Sequence, residues 1–328
     1  MIERGEWRQG WRVVLAALCG NGVGFTMVQM TSGIFIIPIQ QEFGISRTAA
    51  SIGPWLGLAV ALLTPVAALF VDRKGPRGLA IAGLCGLATS YALLAALPPI
   101  LPLYLLLACL VALSGTIANP MIYCRGVATW FRRNAGLAFG LTMSGTSVVA
   151  AVIAPFLSRI VEQDGWRTGI GLYAAMVSFI GLPLVLLWLK AKPGDAAVQD
   201  GAEADGLTAG EAARTRQFWL LIASFGCATL AIGGMISQLF PILVASDYEA
   251  KTAALTVSFY AASMGIGRIG AGFLIDRFNP TLVAGSSLAL AASGSFLLLH
   301  VLFGGGTPEL AYLAAFLLGW GQGAEGDF

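Results

Sequence analysis

One arginine interrupts a long apolar run near the end of the chain, SMGIGRIGAGFLIDRF, where Arg268 stands eight residues ahead of Asp276. On a helix that is about 12 Å from the Asp276–Arg277 pair, too deep for easy snorkelling. A guanidinium at such a depth must face a cavity or a partner. Its planar fork matches a carboxylate in two-point fashion, so the chemistry it offers is anion binding, with a structural ion pair as the alternative. Acids recur further on at Glu325 and Asp327. Being two apart on a helix, they cannot face the same way. One reading pairs them with Arg277; the other lets one of them take a proton in a low-dielectric site. Asp72, Arg73 and Arg77 form a second charged group, in VDRKGPRG (71–78). Uncharged candidates are Gln29, within MVQMTSG, and Asn119, in the Asn119-Pro120 step.

The elements that position these residues are membrane spans. Of the 328 residues 57% are hydrophobic and 11% are charged, less than half the charge of an ordinary soluble domain. Ten segments are long and apolar enough to span a bilayer, approximately 12–39, 48–71, 78–98, 101–130, 135–160, 167–189, 217–245, 252–275, 281–303 and 309–328. The fold class expected is all-α membrane protein. Residues 1–190 form one half of six helices, 191–216 a polar cytoplasmic linker carrying a capping box at Thr208 and Glu211, and 217–328 helices seven to ten of a second half. One set of loops holds thirteen Lys and Arg and the opposite set four, which puts the N-terminus and the linker in the cytoplasm.

Several classes are excluded. His300 is the only histidine, and the five cysteines make no ligand spacing, so neither a metal site nor a cofactor is expected. A net charge of +2 suggests no nucleic-acid partner. A membrane enzyme finds no support, and no phosphate-binding GxxxxGK[ST] loop is present.

The two halves repeat each other. RTAASIGPWLGLAVALLTPVAALFVDRKG from Arg47 and KTAALTVSFYAASMGIGRIGAGFLIDRFN from Lys251 align without a gap. This is the parallel repeat of carriers built from two six-span halves. The repeat also places GWGQGAEGDF (319–328) on the middle of the fourth span, GTIANPMIYC (115–124). It leads one to expect roughly 65 further residues and two more spans.

VDRKGPRG, with its shortened copy IDRFNP (275–280), resembles the signature loop of the major facilitator superfamily. TWFRRNAGLAFGLTMSGTSVV (129–149), GWR (165–167), RTRQFWLL (214–221) and GAEGD (323–327) resemble its monocarboxylate transporter and oxalate–formate antiporter branch. The resemblance implies a secondary carrier in the cytoplasmic membrane, working by alternating access on a small organic anion. Arg268 would be the carboxylate anchor, with Gln29 and Asn119 beside it. Asp72, Arg73, Arg77, Asp276, Arg277, Glu325 and Asp327 would be a cytoplasmic gate. It further implies coupling to a proton or counter-anion and a working monomer. The chain departs from the branch at Met264, where an acid is usual, and in span one, which lacks a lysine. A non-transporting fragment and a carrier of a non-carboxylate substrate are the alternatives.

Overall fold

The computed structural model describes residues 4–46, 64–131, 134–190, 211, 214–275, 278–304 and 306–325. Most of the second span and of the linker, with Thr208 of its capping box, lie outside the described residues. So do Asp276, Arg277 and Asp327, and the side chains of Asp72, Arg73 and Glu325.

The described elements are helical. The first span is built of α1 (Arg4–Gly22), α2 (Phe25–Thr31) and α3 (Gly33–Phe43). Then come α4 (Thr64–Ala95), α5 (Leu101–Ile117), α6 (Pro120–Ala128), α7 (Ala135–Asp164) and α8 (Trp166–Met176). A π-helical turn, Val177–Gly181, joins α8 to α9 (Leu182–Trp188). After the linker follow α10 (Arg216–Ala245), α11 (Ala250–Ile275), α12 (Pro280–Gly304) and α13 (Pro308–Glu325). By length and composition five of the described helical stretches can cross a membrane, or six if the bent pair at the start is one span. That is fewer than the ten read from the sequence. Helices α10, α11 and α13, at 30, 26 and 18 residues, stand in the expected places outside that count.

Three breaks shape the N-terminal half. α1 and α2 meet at 43° across Val23 and Gly24, where the sequence runs Asn21-Gly-Val-Gly and helix propensity is lowest. Asn119-Pro120 divides the fourth span, as expected of a proline that blocks the preceding residue from the helical region. Asn119 is extended (φ −69°, ψ 159°) and its side chain accepts from the Ile122 N–H at 3.3 Å, capping α6. The third break, at Gly75, sits in the charged loop. Its φ of 70° and ψ of 162° suit glycine and turn the chain within the long α4.

Close approach is achieved by glycine. In α13, Gly319 faces the Tyr260 carbonyl and Gly323 faces Met264 and Arg268, all in α11, while Gly321 faces Ala291 of α12. Small residues one turn apart let helix backbones touch in lipid. The glycines of GWGQGAEGDF therefore split between two neighbours. Gly145 of α7 likewise rests on the Leu18 carbonyl of α1. The two halves meet at α7 against α11, where Gly265 packs on Ser147. They meet again at α3 against α10, where Gly33 packs on Ser237 and Pro241.

Candidate functional site

Arg268 is half-buried on α11, and its guanidinium donates to the Met143 carbonyl of α7 at 2.6 Å. It also lies within electrostatic reach of the buried Cys124 thiol on α6. Met143 stands eight residues after the start of α7 and Arg268 seven before the end of α11, so both lie about 10–12 Å along their helices from those neighbouring ends. Arg268 thus sits on the contact between the halves and reaches the facing half through a backbone carbonyl.

The ledge that holds Met143 is tied to the first span. Asn21, 2% exposed, donates from Nδ2 to the Thr142 carbonyl at 3.1 Å. Thr146 Oγ1 returns a bond to the Asn21 carbonyl at 3.3 Å. Asn21 is the last polar residue before the α1–α2 break, so the break and the ledge are coupled directly. On the other side α11 is anchored to α13 by Ser263 Oγ–H to the Phe316 carbonyl and by Tyr260 to Gln322. Sequence reasoning did not single out Asn21, Thr142, Thr146, Tyr260 or Gln322. An asparagine buried in an apolar run beside two glycines was the available signal.

Gln29 is placed elsewhere. With Ser32, Tyr91, Tyr104 and Trp166 it lines a mostly apolar cavity of about 100 Å³ within the N-terminal half. Neither Arg268 nor Asn119 is part of that lining. Nearby, Thr31 and Tyr173 share a hydrogen bond at 2.5 Å. Asn119 uses its side-chain oxygen on the α6 cap. Arg77 donates to the Leu186 carbonyl at 2.6 Å, in the last turn of α9, where a cation also meets the negative end of the helix dipole. That contact lies inside one half. Of the remaining members of the expected gate, Asp276, Arg277 and Asp327 fall outside the described residues, as do the side chains of Asp72, Arg73 and Glu325.

The opposite face carries an ion pair the sequence reading passed over. Glu42, beyond α3's apolar stretch, accepts from Arg167 at 2.6 and 2.8 Å and from the Trp166 indole at 2.5 Å. Donation from Arg167 lowers the Glu42 pKa, burial opposes it, and the Trp166 indole adds a smaller lowering.

The profile of the Major Facilitator Superfamily matches residues 17–326, and the chain belongs to that family. It is 26% identical over 325 residues to an MFS-type transporter of Gibberella moniliformis, covering 96% of this chain and 72% of that protein. It is 28% identical over 283 residues to monocarboxylate transporter 11 of Mus musculus, covering 83% of this chain and 60% of that one. Among solved structures it superposes on a D-xylose–proton symporter with a TM-score of 0.65, at 12% identity over 95% of this chain and 79% of that one. A peptide transporter gives 0.67 at 15% identity, over 96% and 80%. The first establishes the family and the last two the fold. A multi-pass membrane protein of transporter type is the conclusion they share.

Proposed function

We propose that this chain is a secondary active carrier of a small organic anion of monocarboxylate type, moving it across the cell membrane by alternating access. The single observation that carries the reading is Arg268: a guanidinium inside an apolar helix, on the seam between the halves, that donates to the Met143 carbonyl of the facing half. A carbonyl binds a guanidinium less tightly than a carboxylate does, so an entering anion can displace Met143. The names of relatives such as monocarboxylate transporter 11 support the same substrate class. In this reading ten spans are present, the N-terminus and linker face the cytoplasm, and the chain works as a monomer. A proton or counter-anion supplies the energy. Asp72, Arg73, Asp276, Arg277, Glu325 and Asp327 close the cytoplasmic side, with Arg77 fixing their loop to α9. Gln29 and Asn119 contribute to the substrate path from the N-terminal half.

The absence of a lysine in span one and the presence of Met264 where the branch has an acid favour hydrophobic acids over small hydroxy acids in this reading, with Arg125 as a candidate second contact for the anion. The test is uptake of labelled benzoate and lactate by proteoliposomes of the purified protein. Charge-assisted hydrogen bonds contribute about 1.5–3 kcal/mol, so Arg268→Gln is expected to lower the specificity for benzoate roughly 10- to 100-fold. Saturable uptake that Arg268→Gln leaves intact would dismiss the anchor. Absence of uptake of either acid by the parent would dismiss the substrate class.

A further inference from the structure

Serine and threonine inside these helices mostly return their hydroxyl to the carbonyl one turn back. Thr31 bonds Met27, Thr116 bonds Ala112, Thr142 bonds Ala138 and Thr256 bonds Thr252, each at 2.8–3.0 Å. Ser147 of α7 does not. It is 1% exposed and its hydroxyl has no partner. The carbonyl one turn back from Ser147 is Met143, and that oxygen receives Arg268 from α11. A carbonyl has two lone pairs. The helical N–H of Ser147 is the regular donor to one of them. Arg268 and the Ser147 hydroxyl are therefore rival donors for the other. They come from opposite halves of the molecule, and at their junction Gly265 lies so close that a Cβ there would be 3.2 Å from the Ser147 Cβ and 3.8 Å from its Oγ.

We propose that the Met143 carbonyl is an exchange point, taken by Arg268 while α7 and α11 are latched and by the Ser147 hydroxyl once Arg268 leaves. The proposal rests on the reading of Arg268 as the anion anchor, since a carboxylate is what draws it away. No bond is made or broken covalently; one rotation of the Ser147 hydroxyl and one of the Arg268 side chain complete the exchange. When Arg268 leaves, the Met143 carbonyl keeps its helical bond from the Ser147 N–H, and the Ser147 hydroxyl, unpartnered in the latched form, gains the lone pair that Arg268 vacates. Ser147 is therefore a positioning residue. It acts through Met143 on the availability of Arg268, and so on how easily the halves part.

Removing its hydroxyl favours the latch twice over: the latched form loses an unpartnered group, and the released form loses a hydrogen bond. An effect of roughly tenfold on the latch equilibrium is expected. Since only the released form offers Arg268 to the anion, half-saturation rises by the same factor. Ser144→Ala is the control. Ser144 is also buried on α7, but its hydroxyl already bonds the Leu141 carbonyl at 2.8 Å.

The experiment places spin labels at Leu137 on α7 and Phe278 just beyond α11, both exposed. Distances are measured by pulsed dipolar spectroscopy in lipid nanodiscs, first without anion and then with benzoate. Arg268→Gln is expected to lengthen the distance with no anion present. Ser147→Ala is expected to collapse the distribution onto its short component and to raise the benzoate concentration needed to lengthen it about tenfold. Ser144→Ala should follow the parent. Should Arg268→Gln fail to fold, Arg268→Lys, which loses the fork, serves in its place. A Ser147→Ala protein indistinguishable from the parent in distance and benzoate response overturns the proposal, as does an unchanged short distance in the Arg268 variant. If the two variants move the labels as stated but benzoate never does, the exchange stands and the substrate reading falls.

Discussion

Two alanines on one helix should act in opposite directions. α7 carries Gly140 and Gly145, five residues apart. A Cβ on Gly140 meets nothing within 4 Å, so Gly140→Ala should gain the ordinary helix preference, about 0.5–1 kcal/mol. A Cβ on Gly145 would lie 2.9 Å from the Leu18 carbonyl carbon and overlap its oxygen. Backbone cannot rotate away as a side-chain tip can, so α1 and α7 must separate by roughly 1 Å to restore normal contact. Overpacking of that kind costs about 1–3 kcal/mol. The separation also stretches both bonds of Asn21, to Thr142 and from Thr146, each worth about 0.6 kcal/mol in membrane proteins. The expected loss for Gly145→Ala is therefore about 2–4 kcal/mol. The assay is thermal unfolding of the detergent-solubilised protein, both variants beside the parent. Gly140→Ala should melt at or above the parent and Gly145→Ala several degrees below it. If Gly145→Ala melts like Gly140→Ala, then α1 and α7 are not in backbone contact, and the ledge under Met143 has been misplaced.

Three further outcomes are expected. Asn119→Ala removes the α6 cap and should cost about 0.5–2 kcal/mol of thermal stability; unchanged half-saturation for benzoate in the same variant would confine Asn119 to capping. Tyr173→Phe removes the bond shared with Thr31 and should cost about 1 kcal/mol, read as a lower melting temperature with uptake retained. Glu42 has a lowered pKa through Arg167, so its contribution is present at pH values above the unfolded carboxylate value and is lost as pH falls through the folded one. The pair is partly exposed, with side chains 32% and 26% accessible, and is worth up to about 1 kcal/mol. Melting temperature should therefore be flat near neutrality and fall below about pH 4. Glu42→Gln should lose stability at neutral pH and flatten that fall.

The α-helical membrane class was legible because charge depletion and span length are properties of whole segments. The Asn119-Pro120 break was legible too, because proline constrains its neighbour wherever it occurs. The α1–α2 break was not. The apolar run continues through Asn21-Gly-Val-Gly, and a hydropathy reading passes over a kink that changes backbone direction without changing composition. Arg268 announced itself as a lone charge, whereas its bond to Met143 could not be read, because a main-chain carbonyl leaves no trace in residue type. Ser147 illustrates the same limit. A serine in a membrane helix is unremarkable until the carbonyl it would use is seen to be taken.

The contacts at the α7–α11 seam differ in kind from those inside each half, whereas at the second seam Gly33 of α3 meets the Ser237 carbonyl of α10, and the difference bears on how the halves could move about that second seam. Within a half, backbone touches backbone: Gly145 on Leu18, Gly319 on Tyr260, Gly323 on Met264. Such contacts are stiff, because a separation of even half an ångström forfeits a large part of the dispersion attraction. At the α7–α11 seam a polar link is made by a side chain reaching a carbonyl, from Arg268 to Met143, and a long side chain can let go without moving its helix. The fold thus places its exchangeable bond where the rigid bodies meet. Gly323→Ala tests that distinction, since its Cβ would press on the backbone at Met264 and Arg268 inside the second half. It should lower the melting temperature much as Gly145→Ala does, while the anion-free distance between labels at Leu137 and Phe278 stays that of the parent. A lengthened distance in Gly323→Ala would mean that packing inside the half, and not the Arg268 bond, holds the seam closed.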